Sequence, residues 1–205
     1  METNINNIDA NWKNIKNKCR TTVNKEYSDK EATEKFKKQL LISEHSPIRL
    51  LNVDWSWKDM KSYVSVHFSR HKWECFVSTQ RSDRTGVNRD ELPQGAFVNM
   101  DGYANAQNLI DTARKRLCFQ ASPETRQAMC DLKKEITKQE PEIGNVLVPN
   151  CIYRGGCPEF KSCGFIEKFL KDNPNVNMFN IQERYGAYNE WFSKTNNKEI
   201  FGVRK

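Results

Sequence analysis

Arg70-His71-Lys72-Trp73-Glu74-Cys75-Phe76-Val77-Ser78-Thr79-Gln80-Arg81-Ser82-Asp83-Arg84 places a short apolar strand, residues 75–77, between two groups of cations. Arg89 and Arg116 continue the basic series downstream. A solvated basic face is usually rich in lysine and lacks hydroxyls set among its arginines. Here Ser78, Thr79 and Ser82 alternate with forked guanidinium donors, a pattern suited to gripping phosphate oxygens.

The rest of the chain agrees with an anionic ligand. Its 205 residues carry 33 Lys and Arg against 26 Asp and Glu, a formal net charge of +7, which favours a nucleotide, nucleic acid or polyanionic cofactor. Much of the excess lies in the Lys-rich first forty residues and is also what a solvated surface looks like. With 37% hydrophobic and 29% charged residues, the composition is that of a soluble globular protein with a real core. No apolar run reaches membrane-spanning length, and the N-terminal residues lack a signal peptide's apolar stretch. Seven cysteines cannot all pair internally, so a reducing cytoplasm is expected, or a host's cytoplasm if the source is viral.

Working outward from the arginine stretch, periodicity predicts the neighbouring elements. The first forty residues read as two polar helices, the second opened by a capping box of Ser28 and Glu31. After an extended run near residues 48–55, Ser56 and Asp59 form a second box, predicting a helix that carries Met60, Tyr63, Val64 and Phe68 to about Arg70. Residues 83–88 read as a polar turn. A helix over 105–118 carries the apolar stripe Ala106, Leu109, Ile110, Ala113 and Leu117. Ser122-Pro123-Glu124 starts another, running to about Gln139. Residues 149–164 form a Cys/Gly/Pro-rich loop, and Tyr185, Tyr188, Trp191 and Phe192 mark a docked helix in the tail. The expected units are a helical segment 1–42, a core 43–148, and a loop and tail 149–205.

In this order the motifs resemble those of the flavin-dependent thymidylate synthases. That family carries Arg-His-Arg followed by Glu-x-Ser-x-Arg; here stand Arg70-His71-Lys72 and Gln80-Arg81-Ser82-Asp83-Arg84. Its upstream loop, His-x-Ser/Thr-Pro-Phe-Glu-His, is partly matched by Glu44-His45-Ser46-Pro47-Ile48-Arg49. Downstream, Arg89 with Leu92-Pro93, then Asn105-Ala106-Gln107, Arg116 and Ala121-Ser122-Pro123-Glu124 follow the family pattern without a gap. The likeness spans about residues 43–136 and is that of a compact, viral-type member.

The resemblance implies an α+β fold, a small antiparallel sheet framed by long helices. It implies methylation of dUMP to dTMP, with methylenetetrahydrofolate as carbon donor and FAD reduced by NADPH, in a homotetramer with active sites at subunit interfaces. Arg116 would be catalytic, contacting the uracil ring. His67, Gln80, Ser82, Arg84 and Arg89 would join it in binding dUMP. Ser46, Arg70, His71, Lys72, Asn105, Gln107 and Asp111 would contact FAD. Several positions depart from the family: Lys72 stands for Arg, Gln80 for Glu, Gln107 for Arg and Asp111 for Asn. A point charge stacks less well than a planar guanidinium, so flavin affinity and reaction outcome are the properties these changes touch. A related hydroxymethylase acting on pyrimidine nucleotides is the nearest alternative.

Cys151, Cys157 and Cys163 are evenly spaced in the loop, and Cys118 or Cys130 is available as a fourth thiolate for zinc or an iron–sulfur cluster. Reduced, part-buried thiols explain the same spacing. A basic nucleic-acid-binding protein with a zinc loop is the rival of a different class. It leaves the ordered series from Arg70 to Arg116 unexplained, so no stable nucleic-acid partner is expected. Cys75 lies among the cations, yet neither His45 nor His67 has the spacing of a nucleophile's base.

Overall fold

The computed structural model describes residues 1–195. In chain order its elements are β1 (Glu2–Asp9), α1 (Trp12–Thr22), α2 (Glu34–Ile42), a 3-10 turn (Ser46–Leu50), β2 (Asn52–Lys61), α3 (Ser62–Phe68) and β3 (Glu74–Val77). There follow α4 (Ser82–Thr85), a 3-10 turn (Arg89–Glu91), β4 (Phe97–Asn105), α5 (Ala106–Arg116) and α6 (Pro123–Gln139). The chain continues through α7 (Pro141–Val146), α8 (Asn150–Arg154), α9 (Phe165–Asp172) and α10 (Ile181–Lys194). The four strands make one antiparallel sheet in the order β1-β2-β4-β3, with helices against its buried face. This is the α+β architecture expected from the sequence.

Alternation builds the sheet. In β4, Val98, Met100, Gly102 and Ala104 face inward while Phe97, Asn99, Asp101 and Tyr103 face out. In β2, Val53, Trp55 and Trp57 point to the core until a bulge between Trp57 and Met60 resets the phase, with Asp59 at φ 55. Asn99 Oδ1 accepts the Asp59 amide N–H at 3.2 Å. The bulge brings Met60 back into the core. Trp57 stacks on Phe68 at 4.7 Å, and Trp55 meets Trp73 edge-on at 5.0 Å. The Trp73 indole N–H donates to the Phe68 carbonyl at 2.8 Å, which folds the segment after α3 back onto this aromatic cluster.

Two expected helical stretches are strand instead, and at residues 56–61 the side chain expected to cap is engaged elsewhere. Ser56 exchanges hydrogen bonds with Asn6 across the β1–β2 pair, at 2.9 and 3.2 Å, so residues 56–61 extend β2 and the helix begins only at Ser62. Residues 1–42 begin with β1, not with a helix. A register shift between Ile5 and Asn7 lets Ile5 and Ile8, three apart, both pack on the core. The Ser28 cap is also displaced. Ser28 is bound through its backbone to the Asn17 side chain, and Thr33 caps α2 by accepting the Phe36 N–H at 3.2 Å.

The remaining helices follow their patterns. Asn105 caps α5, whose stripe of Ala106, Leu109, Ile110 and Ala113 is buried together with Leu117. Ser122 caps α6, with Pro123 in its first turn. Tyr185, Tyr188 and Phe192 of α10 are buried, and Trp191 packs on Phe165.

Lys133 of α6 lies in the core. Its ammonium donates to the Gly144 carbonyl at 2.6 Å and to Asn189 Oδ1 at 2.7 Å, above the Phe192 ring. Burial pushes its pKa down to about 7 from 10.5, with nearby Cys130 opposing the shift. The folded state therefore binds fewer protons than the unfolded state between these values, and stability rises with pH across that window. Melting curves recorded at about pH 6 and about pH 10 should show the higher Tm at the alkaline end, and Lys133→Met should flatten the difference. An unchanged slope in that variant would assign the effect to another group.

Candidate active site

The turn after α3 and the end of α5 converge on Arg116. Its Nε donates to His71 Nε2 at 2.7 Å, and its Nη2 donates to the His67 backbone carbonyl at 2.8 Å. That carbonyl lies at the C-terminal end of α3, where helical carbonyls lack intrahelical partners and attract cations. Arg116 is thus aimed by two acceptors, one in α3 and one in the turn after it, with its remaining guanidinium N–H groups available to a ligand.

His71 can accept from Arg116 only as a neutral imidazole protonated at Nδ1. Burial, then the Arg116 charge and then that of Arg70, hold its pKa down at about 4. Its folded-state value lies below the ordinary 6.5, so the stability His71 contributes is complete above 6.5 and is lost as pH falls toward about 4. Burial and the Arg70 charge also lower the Arg116 pKa, although a guanidinium remains a cation at any physiological pH.

Beside this pair is a hollow of about 450 Å³ lined by Asn52, His71, Lys72, Glu74, Asn105 and Asn108, among others. Three residues expected at the flavin, His71, Lys72 and Asn105, therefore share one concavity, and Arg70 is exposed at its side of the α3 turn. The lining offers amides, an ammonium, a neutral imidazole and the Glu74 carboxylate, donors and acceptors suited to a polar heteroaromatic ring. Gln107 and Asp111 lie on the adjacent stripe of α5. Gln107 Nε2 donates to Glu44 Oε2 at 2.6 Å, and Arg114 pairs with both Glu44 and Asp111 while lying 3.5 Å over the Tyr153 ring. These two side chains are committed to tying the Glu44 loop to α5. Ser46 is exposed at the start of the 3-10 turn that packs on α5.

The expected phosphate ligands form a separate group. Ser82, Arg84 and Arg89 share the exposed connection between β3 and β4, where Ser82 Oγ accepts the Arg89 amide N–H at 3.2 Å. Arg81 is neutralised by Asp83 through two hydrogen bonds of 3.0 and 2.7 Å. Among the described residues neither the Arg84 nor the Arg89 side chain has a hydrogen bond or ion pair. Gln80 is half-buried at the start of this segment. Within one chain no bond joins Arg84 or Arg89 to Arg116. A larger groove of about 790 Å³ lies between α2, α7 and α10, and none of these residues lines it.

The cysteines weighed as thiolate ligands are free thiols. Burial raises the Cys118 pKa and pushes that of Cys151 up to about 12, with nearby Cys157 and Cys163 adding to both. Cys130 is buried in α6 and likewise pushed up to about 12. Among the described residues no three His, Cys, Asp or Glu side chains are arranged to hold a metal ion. Cys163 is exposed while Cys151 is buried, so the loop leaves the thiols at different depths. Sequence reasoning also passed over Thr125, which bonds His67 Nδ1 at 2.7 Å. A threonine as the third residue of a helix gives no signal of such a contact.

No protein-family model matches the sequence, and no curated protein is significantly similar to it. Solved structures are similar in fold. The flavin-dependent thymidylate synthase ThyX of Helicobacter pylori, complexed with FAD and dUMP, superposes with a TM-score of 0.58 at 12% identity, over 72% of this chain and 100% of that one. A second structure of that enzyme with FAD and dUMP gives 0.57 at 14% identity, over 72% and 99%. The UMP/dUMP methylase PolB of Streptomyces cacaoi, bound with 5-Br dUMP, gives 0.58 at 12% identity, over 71% and 93%. No helix among the described residues is long and apolar enough to cross a membrane. The chain thus has the ThyX-like fold, that of the flavin-dependent thymidylate synthases.

Proposed function

We propose that this protein is a flavin-dependent enzyme that methylates dUMP to dTMP, with methylenetetrahydrofolate as carbon donor and NADPH as reductant. The observation that carries the reading is Arg116, fixed by His71 and the His67 carbonyl beside the hollow of Lys72 and Asn105, in a fold shared with such enzymes. Bound FAD would supply the redox chemistry and the one-carbon relay. His71, Lys72, Asn105 and Arg70 would hold it, with Ser46 at the periphery.

The chain's own contribution is positioning and charge. Arg116 directs N–H donors at a carbonyl oxygen of the uracil ring, where negative charge grows as C5 becomes nucleophilic. His71 aims this guanidinium without adding a second cation. Ser82, Arg84 and Arg89 present a hydroxyl and two unpaired forked cations to the phosphate dianion. Because that group is exposed and separate from Arg116 in one chain, the complete site is read as shared between subunits of a homotetramer, phosphate ligands from one copy facing Arg116 of another.

Protein incubated with dUMP, methylenetetrahydrofolate, NADPH and FAD should yield dTMP, identified by mass. A hydroxymethyl product would move the chain to the alternative chemistry, and unchanged dUMP under every flavin condition would overturn the reading.

A further inference from the structure

A hydrogen-bond chain enters the site from the N-terminus of α6. Ser122 Oγ donates to Thr125 Oγ1 at 2.8 Å, and Thr125 Oγ1 lies 2.7 Å from His67 Nδ1. Ser122 Oγ already accepts the Thr125 amide N–H at 3.4 Å, which turns its own proton toward Thr125 Oγ1. A hydroxyl has one proton. Thr125 Oγ1 receives from Ser122 and has no other acceptor among the described residues, so its proton goes to His67 Nδ1, and a neutral ring that accepts at Nδ1 carries its hydrogen at Nε2. Thr125 is fully buried, so water does not compete for this bond. Among the described residues His67 Nε2 has no hydrogen-bond partner, and the same residue's carbonyl anchors Arg116.

We propose that Ser122 and Thr125 lock His67 as an Nε2–H donor, making Thr125 the positioning residue through which the site selects uracil over cytosine nucleotides. The selectivity rests on reading this as a pyrimidine-nucleotide site. A ring-edge donor pairs with the C4 carbonyl of uracil and opposes the C4 amine of cytosine, which is itself a donor. The locked imidazole offers a donor alone, with no acceptor that rotation could bring into its place. Discrimination then comes from leaving buried donors facing each other unpaired.

Nitrogen-15 NMR of histidine-labelled protein without nucleotide reads the relay directly. His67 should show a protonated Nε2 and a bare Nδ1 in the wild type, and should lose that single tautomer in Thr125→Val but keep it in Thr125→Ser. Calorimetric titration with dUMP and with dCMP reads the selectivity. The dUMP preference should fall by about tenfold or more in Thr125→Val and recover in Thr125→Ser. A wild-type ring protonated at Nδ1 overturns the relay, and needs no variant to be seen. An unchanged dUMP-to-dCMP ratio in Thr125→Val overturns the selectivity. Binding of neither nucleotide overturns the reading of the site and the selectivity with it, while the tautomer still decides the relay.

Discussion

Arg116→Ala should lower dUMP turnover by about a hundredfold to a thousandfold, the loss expected when a preorganised donor to a developing oxyanion is removed. Its Tm should change by only a few degrees. The bonds lost are those to His71 Nε2 and the His67 carbonyl, each worth about 1 kcal/mol net. Against this, the cation is partly desolvated and repelled by Arg70, so its removal also relieves a cost. Arg116→Lys should keep the charge and fail to hold both acceptors, since an ammonium lacks the planar fork. Its turnover should therefore lie nearer the alanine variant than the wild type. Steady-state rates measured beside thermal melts separate this from a folding defect. Full activity in Arg116→Ala would remove the role assigned here.

Gly102→Ala carries the largest expected effect on stability. Gly102 sits opposite Trp55 in the β2–β4 register, and the indole lies across the place where a side chain would be. A Cβ there would stand 2.3 Å from Trp55 Cζ2 and 2.5 Å from Cε2. Trp55 is fully buried and wedged against Trp57 and Trp73, so it has no open direction in which to move. Overpacking of this kind costs about 3 kcal/mol or more, a fall in Tm of roughly 6–12 °C for a chain of this size. Gly156→Ala, where a Cβ would meet nothing within 4 Å, is the matched control and should melt near the wild type. A Gly102→Ala protein as stable as that control would show that the aromatic cluster is less tightly packed than described.

What the sequence disclosed depended on whether local pattern and tertiary demand agreed. The α5 stripe, the Ser122-Pro123 start and the aromatic face of α10 are strong 3.6-residue patterns, and each is buried as its pattern requires. Residues 56–61 were misread because a capping box is only a local signal, and Ser56 finds its partners fifty residues away on β1. Strand β1 was missed because its bulge spaces Ile5 and Ile8 as a helix would. The nine-residue strand β4 is not legible in sequence although its inward positions alternate cleanly, because small residues at 102 and 104 weaken that face's apolar signal.

The site was legible through the order of its motifs. Arg116, His67 and His71 meet as one cluster, although they come from segments about fifty residues apart. The acceptors that aim Arg116 are not legible in sequence, because one is a backbone carbonyl and the other reads as a flavin contact. Gln107 and Asp111 illustrate the opposite limit. Their helical spacing predicts a shared face, and they do share one, but their partner there is the Glu44–Arg114 ion pair.

Titration of dUMP into FAD-loaded protein, followed by the visible absorption of the flavin, tests most directly whether nucleotide and cofactor meet at Arg116. A saturable shift of the flavin bands is expected in the wild type, and its loss in Arg116→Ala. A protein that takes up no flavin, or a dUMP response identical in the two proteins, would contradict it.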